Sequence, residues 1–214
     1  MALMINEIFY SIQGESTFAG QACVFVRLTG CNLRCTYCDT RYAYEEGQTL
    51  AVNQIVEKVA TFGCNLVEIT GGEPLLQADT GHLVEKLIHD GFQVLMETNG
   101  SLDIGGIHPA CIKIIDIKCP DSNAADQCDL ENLQRMSSSD QVKFVISSRH
   151  DYRYAKKIMA RIPAKVPPGN VLFSPVRDRL PGRELAAWIL EDGLRARLQL
   201  QLHKVIWPDI ERGV

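Results

Sequence analysis

Residues 23–40 read CVFVRLTGCNLRCTYCDT, and the fold turns on them. Cys23 to Thr29 is a short run of apolar, β-branched and aromatic side chains closed by Gly30, the composition of a buried strand. The loop that follows carries Cys31, Cys35 and Cys38 within eight residues. A strand ending in a loop that bears chemistry is the repeating unit of parallel α/β sheets, in which ligands gather outside the carboxyl ends of the strands.

Moving outward, the unit recurs. Strand 65–70 (NLVEIT) leads into Gly71-Gly72-Glu73-Pro74, strand 92–98 (FQVLMET) ends in Glu97-Thr98-Asn99-Gly100, and strand 112–117 (IKIIDI) ends in Asp116-Ile-Lys118-Cys-Pro120. Further strands are expected at 142–147, 170–173 and 197–203. Between them the helical periodicity predicts helices at 50–62, capped by Thr49, and 80–90, capped by Asp79 and stopped by Gly91. Two more are expected at 150–161 and at 182–192, the latter opened by Pro181-Gly182. Such alternation implies parallel strands with right-handed crossovers. A complete eight-fold barrel takes about 250 residues, and this chain has 214. The expected fold is therefore α/β, an incomplete TIM-type barrel of about six parallel strands with few flanking helices. No linker or repeat divides the chain, so residues 1–214 are expected to form a single domain.

Lys and Arg number 22 against 26 Asp and Glu, a net charge of −4, and no basic block appears. That balance argues against a nucleic-acid surface and favours a small-molecule ligand met by local cations. No run of about 18 apolar residues exists to span a membrane. The first eleven residues lack the basic flank and apolar stretch of a secretory signal, so a cytoplasmic protein is expected. Eight cysteines sit at 23, 31, 35, 38, 64, 111, 119 and 128. The three clustered ones read as metal ligands in a reducing compartment, and the scattered five as small core residues or exposed bystanders.

The spacing C-x3-C-x2-C lets three thiolates hold three irons of a [4Fe–4S] cubane, leaving the fourth iron open to a chelating ligand. The alternative, a structural zinc site, asks for a fourth ligand that only Cys64, Cys119 or a histidine could bring from a distance. Tyr37, between the last two cysteines, offers an aromatic face to an adenine. Gly71-Gly72-Glu73-Pro74 alone reads as a turn. Beside a cluster loop it reads as a binding loop, whose glycines admit backbone carbonyls to an ammonium while Glu73 adds an acceptor.

The cysteine spacing, Tyr37 and the Gly-Gly-Glu-Pro segment together resemble the radical S-adenosylmethionine superfamily. That resemblance implies a cofactor whose amino and carboxylate groups occupy the open iron, and whose cleavage gives a 5′-deoxyadenosyl radical.

On the substrate side, Tyr10-Ser-Ile-Gln13-Gly14-Glu15 serves no evident structural end, although a solvated turn would look the same. Arg27 interrupts an apolar strand and must meet either an internal carboxylate or an anionic ligand. Leu198-Gln-Leu-Gln-Leu-His203 alternates, which turns its leucines toward helices and Gln199, Gln201 and His203 inward. His203 is then either a ligand contact or a hydrogen-bonded core histidine. Asp116 and Lys118 share one strand face, where they either neutralise each other or bind cofactor.

FYSIQGE, CNLRCTYCDT, TGGEPLLQ, ETNGS, DIKCP and LQLHK together resemble, over nearly the whole chain, the 7-carboxy-7-deazaguanine synthase family of queuosine and 7-deazapurine biosynthesis. The resemblance implies a lyase that acts on 6-carboxy-5,6,7,8-tetrahydropterin. Hydrogen would be abstracted at C6, the ring would contract and ammonia would leave. It implies pterin contacts at Gln13, Glu15, Arg27, Thr70, Gly72, Glu97 and His203, with Arg27 toward the carboxylate. It implies Mg²⁺ at Thr40, and cofactor contacts at Tyr37, Gly72, Glu73, Thr98, Asp116, Lys118 and Ser174. A homodimer and a flavodoxin-type reductant are implied as partners, and Trp207 is a candidate lid. Against a glycyl-radical activating enzyme, which shares the cysteine spacing but needs an open groove, Arg27, Glu97 and His203 describe a closed polar pocket.

Overall fold

The computed structural model describes residues 1–214. Strands β1 (Ala2–Ile12), β2 (Ala22–Leu28), β3 (Gln48–Ala51), β4 (Leu66–Gly71), β5 (Gln93–Thr98), β6 (Ile112–Asp116), β7 (Gln141–Ile146), β8 (Val171–Pro175) and β9 (Arg197–Leu198) form one sheet. Their order is β3-β1-β2-β4-β5-β6-β7-β8-β9. From β2 onward every neighbouring pair is parallel, while β1 runs antiparallel to both β2 and β3. The sheet stays open: β3 and β9 are its edges, and no pairing closes it. The helices are α1 (Val52–Ala60), α2 (Thr80–His89), α3 (Asn132–Arg135), α4 (Arg149–Met159), α5 (Gly182–Glu191) and α6 (Leu202–Ile206).

Strand alternation assigns the two faces opposite tasks. Val24, Val26 and Leu28 of β2 point to one side and pack with Ile55 and Val59 of α1 and Leu83 and Leu87 of α2. On the same side, Phe144 and Phe173 pack with Tyr152 of α4 and Leu185 of α5. Each such fully buried side chain contributes about 1.5–3 kcal/mol relative to exposure. On the opposite face Cys23, Phe25, Leu66, Leu95 and Ile114 form a small apolar floor. Above it the next positions of the same strands carry charge. Phe25 stands opposite Glu68, Arg27 opposite Thr70, and Asp116 opposite Lys143. The concave face is thus apolar at its base and polar toward the carboxyl edge.

The expected strands 23–29, 65–70, 92–98, 112–117, 142–147 and 170–173 correspond to β2 and β4–β8, and the four expected helices to α1, α2, α4 and α5. Four features differ. Residues 2–12 form a strand not foreseen, because its inward–outward alternation is interrupted by a register shift between Ile5 and Glu7. Thr49 lies in β3 rather than at a cap, and the N-cap of α1 is Ala51, whose N–H donates to Gln54 Oε1 at 2.9 Å. Asp79 occupies the N-cap of α2 but spends its carboxylate across the fold, Oδ2 accepting from Ala2 N at 2.8 Å.

The fourth concerns 197–203, where the strand stops at Leu198 and Leu202–Ile206 becomes a helix. Leu198 and Leu200 stay exposed instead of packing against helices. The cause lies in the glutamines between them. Gln199 Oε1 accepts from Ser16 N at 2.7 Å, Gln201 Nε2 donates to Glu15 Oε1 at 2.9 Å, and Leu202 N donates to Gly14 O at 3.0 Å. These bonds draw the chain off the sheet edge and across the concave face. Of the scattered cysteines, Cys23, Cys111 and Cys119 are buried, and Cys64 and Cys128 are half-buried.

Candidate active site

A cavity of about 540 Å³ opens at the carboxyl edge of the sheet, and every cluster, cofactor, Mg²⁺ and pterin residue expected from the sequence lines it except Glu73; the candidate lid Trp207 does not line it. The cysteine loop forms one wall. It is pinned by Gly30 N to Ala43 O at 2.9 Å, Thr36 N to Ser122 O at 3.1 Å, and Arg34 Nη1 to the Cys31 and Leu33 carbonyls at 2.8 Å each. Cys31, Cys35 and Cys38 are free thiols facing the cavity. Donors already approach the first of them, Leu33 N at 3.4 Å and Asn99 Nδ2 at 3.9 Å from Cys31 Sγ. A thiolate set with N–H donors around it is the environment an iron–sulfur cluster requires.

The Gly-Gly-Glu-Pro segment lies directly on this loop. A Cβ on Gly72 would fall 2.0 Å from Gly30 O, so only glycine permits the approach. Glu73 is fully buried behind the wall, its carboxylate accepting from Leu75 N at 3.0 Å, Thr98 Oγ1 at 2.9 Å and Asn99 N at 2.7 Å. It ties the segment to Thr98-Asn99-Gly100 and does not reach the cavity.

Asp116 and Lys118 do pair, Lys118 Nζ to Asp116 Oδ2 at 2.8 Å. Yet Asp116 Oδ1 is buried with no hydrogen-bond partner. An orphaned acceptor of this kind costs about 1–3 kcal/mol, and a ligand hydroxyl in the cavity would satisfy it. The residues present therefore fit a nucleoside-bearing cofactor beside the cysteine loop. Tyr37 donates to Val145 O at 3.4 Å and lies 5.9 Å from the Arg179 guanidinium; burial pushes its phenol up, so its ring is neutral. Thr40 Oγ1 is 3.4 Å from Asp39 Oδ1, two oxygens of the type a hard cation prefers.

Arg27 meets an internal carboxylate and keeps donors that an anionic ligand could take. Nε pairs with Glu7 Oε1 at 2.7 Å, with Phe9 and Tyr42 at 5.6 and 5.8 Å from the guanidinium carbon. The remaining N–H groups have no protein partner and face the cavity. Glu15 accepts from Lys143 at 2.9 Å, Gln199 at 3.0 Å and Gln201 at 2.9 Å. Burial alone would raise its carboxyl, but the Lys143 ammonium and these bonds outweigh burial and hold it at about 2. His203 enters from α6 rather than from a strand, and a Cβ on Gly14 would lie 2.3 Å from its Nδ1. Burial lowers its pKa, leaving a neutral imidazole near pH 7.

Two residues of this site were not foreseen. Lys143 of β7 pairs with Glu15 at 2.9 Å, with Glu97 in a short contact, and with Asp116 at 3.6 Å. Burial works against its charge, and the carboxylates around it outweigh burial, so it remains an ammonium. Glu97 is raised, chiefly by burial, against the pull of Lys143. Glu68 of β4 accepts from Gln13 Nε2, and burial followed by the charges of Glu97 and Glu15 pushes it up to about 8. The signal was present: Val-Lys143-Phe and Val-Glu68-Ile place a charge inside an apolar strand, as Arg27 does.

A family model of the radical SAM superfamily matches residues 25–117. The chain is 44% identical to the 7-carboxy-7-deazaguanine synthase of Chlorobaculum tepidum, over 99% of its length and 97% of that protein. It is 40% identical to the enzyme of the same name from Koribacter versatilis, over 99% of its length and all of that protein. Among solved structures, QueE from Escherichia coli superposes with a TM-score of 0.78 at 22% identity, covering 94% of each chain. Streptococcus suis SuiB bound to S-adenosylmethionine gives a TM-score of 0.57 at 11% identity, over 84% of this chain and 50% of that one. At those identities the two structures establish a shared fold.

Proposed function

Because this chain belongs to the 7-carboxy-7-deazaguanine synthase family, lyases of the radical SAM superfamily, we propose that it converts 6-carboxy-5,6,7,8-tetrahydropterin to 7-carboxy-7-deazaguanine and ammonia. The observation that carries the substrate is Arg27, held through Nε by Glu7 and otherwise free of protein hydrogen bonds, in the same cavity as the three cysteines.

Cys31, Cys35 and Cys38 would hold a [4Fe–4S] cluster which, with S-adenosylmethionine bound beside it, would supply the abstraction of hydrogen from C6 of the pterin. The chain's own residues orient the two ligands. Gly72 and Thr98 border the methionyl part, and Glu73 acts from behind by fixing Thr98 and Asn99. Asp116, Lys118, Tyr37 and Ser174 line the nucleoside part. The free edge of Arg27 grips the pterin carboxylate, and Thr40 would hold a Mg²⁺ ion whose charge would help to bind that carboxylate. Gln13, Glu15, Thr70, Glu97 and His203 surround the ring, with Lys143 holding Glu15 and Glu97 in place. Ring contraction with loss of ammonia leaves the net oxidation state unchanged, so the cofactor is regenerated.

The same reading makes residues 1–214 one catalytic domain of a cytoplasmic homodimer, reduced by a flavodoxin-type donor; no helix is long and apolar enough to cross a membrane. A glycyl-radical activating enzyme would need its cysteine loop open to a partner's backbone, whereas here Gln201 and His203 cross the concave face. Anaerobic reconstitution with iron and sulfide, followed by turnover of the carboxytetrahydropterin, tests the assignment. Formation of the ultraviolet-absorbing deazapurine is expected. Cofactor cleavage with no such product would refute it, and one zinc per chain without iron would refute the radical chemistry altogether.

A further inference from the structure

The cavity floor holds a buried acid to which no role has fallen. Glu68 stands opposite Phe25 and Leu95 in the sheet, is only 4% exposed, and lines the cavity. Its one protein hydrogen bond is with Gln13, and the direction of that bond is fixed. Glu15 N–H donates to Gln13 Oε1 at 2.9 Å, so the amide oxygen is taken and the amide NH₂ is what meets Glu68 Oε2. Oε2 is therefore an acceptor, and a proton on Glu68 sits on Oε1, which has no protein partner.

Four ionisable groups surround Glu68: Cys23 on β2, Glu97 on β5, Lys143 on β7 and Glu15 on the loop after β1. Lys143, the one cation among them, is committed to Glu15, Glu97 and Asp116. Burial, then the charges of Glu97 and Glu15, push the Glu68 carboxyl up to about 8, so near neutrality it is a neutral acid with one free O–H.

We propose that Glu68 is a specificity-determining residue whose Oε1–H donates to the ring carbonyl of the bound heterocycle, selecting an oxo over an amino substituent at that place. The inference rests on the reading that Arg27 binds the pterin carboxylate. Arg27 lies two residues beyond Phe25 on β2, roughly 7 Å nearer the cysteine loop. A bicyclic ligand anchored there by its carboxylate would turn its pyrimidine ring, which bears the carbonyl, toward the floor where Phe25, Gln13 and Glu68 lie. An amino group in place of the carbonyl would set N–H against O–H and leave both unpaired, the kind of mismatch by which a polar site rejects an analogue.

The test is equilibrium binding to the reconstituted holoenzyme without reductant, using the carboxytetrahydropterin and its analogue with an amino group replacing the ring carbonyl. The wild-type protein should bind the oxo ligand at least tenfold more tightly, and its affinity should weaken as pH rises through about 8. Glu68→Leu should lose roughly tenfold in affinity for the oxo ligand and most of the discrimination, the worth of about one hydrogen bond. Glu68→Gln, which directs its amide oxygen to Gln13 and its NH₂ to the ligand, should recover most of that loss and abolish the alkaline weakening. An unchanged oxo-to-amino ratio in Glu68→Leu, or alkaline weakening that persists in Glu68→Gln, would overturn the inference while leaving the pterin assignment intact. A wild-type holoenzyme that binds neither ligand would overturn both.

Discussion

Lys143 and Thr40 show what single residues decide in this site. Lys143 is the cation shared by Glu15, Glu97 and Asp116, and its side chain is almost fully buried. Lys143→Met would leave those carboxylates facing one another without it, at a cost of about 3–5 kcal/mol, the usual consequence of removing one partner from a buried ion pair. Anaerobic urea denaturation measures this, and adding Glu97→Gln to Lys143→Met should return part of the loss. Thr40 carries the opposite kind of expectation, since it touches little of the fold. Thr40→Ala should lower turnover and its Mg²⁺ activation with iron content unchanged; Mg²⁺ activation equal to that of the wild type would remove the role given to Thr40. At this scale the sequence was legible wherever the signal is local. Cys31, Cys35 and Cys38 announce themselves by spacing, and Gly72 by its motif. Lys143 and Glu68 escaped because their meaning depends on which strands are neighbours: Lys143 meets Glu15 across 128 residues of chain. Glu73 was read as a ligand contact because its motif is local, while its partner Thr98 lies 25 residues away.

At the scale of elements, the parallel strands β2 and β4–β8 could be read from sequence because each is an unbroken apolar run on its helix-facing side. The two ends of the chain could not. β1 loses its alternation at the shift after Ile5, and the apparent strand at 197–203 is undone by the two glutamines that bond to the loop around Glu15 and Ser16. The segment beyond α6 crosses the cavity mouth. Tyr42 Oη donates to Glu211 O at 3.4 Å, Arg177 Nη1 to Pro208 O at 3.4 Å, and Arg212 pairs with Glu46 at 2.9 Å. Exposed contacts of this sort contribute little to stability, about 0–1 kcal/mol each. Glu211 and Val214 nevertheless line the cavity. Removing residues 208–214 should therefore raise KM for the pterin several-fold while leaving the melting temperature within a few degrees. Unaltered KM, measured beside thermal unfolding, would deny the segment any part in closing the site.

For the whole molecule, the buried charges make stability depend on pH in two windows of opposite sign. Glu15 is held at about 2 against an ordinary 4.5, so its contribution is complete above 4.5 and is lost as pH falls from there toward 2. Glu68 is raised to about 8, so its contribution is complete below 4.5 and is lost as pH rises toward 8. Each unit of such a shift is worth about 1.4 kcal/mol. The wild-type protein should therefore lose stability between pH 5 and pH 8 more steeply than Glu68→Gln, a comparison that melting temperatures across that range make directly. Parallel slopes in the two proteins would show that Glu68 ionises normally in the folded state. The open sheet, with its acid-rich concave face and apolar floor, accounts for both windows. The sequence showed the chain to be α/β and an incomplete barrel. It did not show that one face would gather Glu15, Glu97 and Asp116 around Lys143, with Glu68 beside them. On the proposed function, this face directs hydrogen abstraction to C6 of the pterin. Turnover of substrate deuterated at C6 tests it most directly, with deuterium predicted to leave the pterin and appear in the recovered S-adenosylmethionine. Product formed with deuterium absent from the cofactor would contradict it.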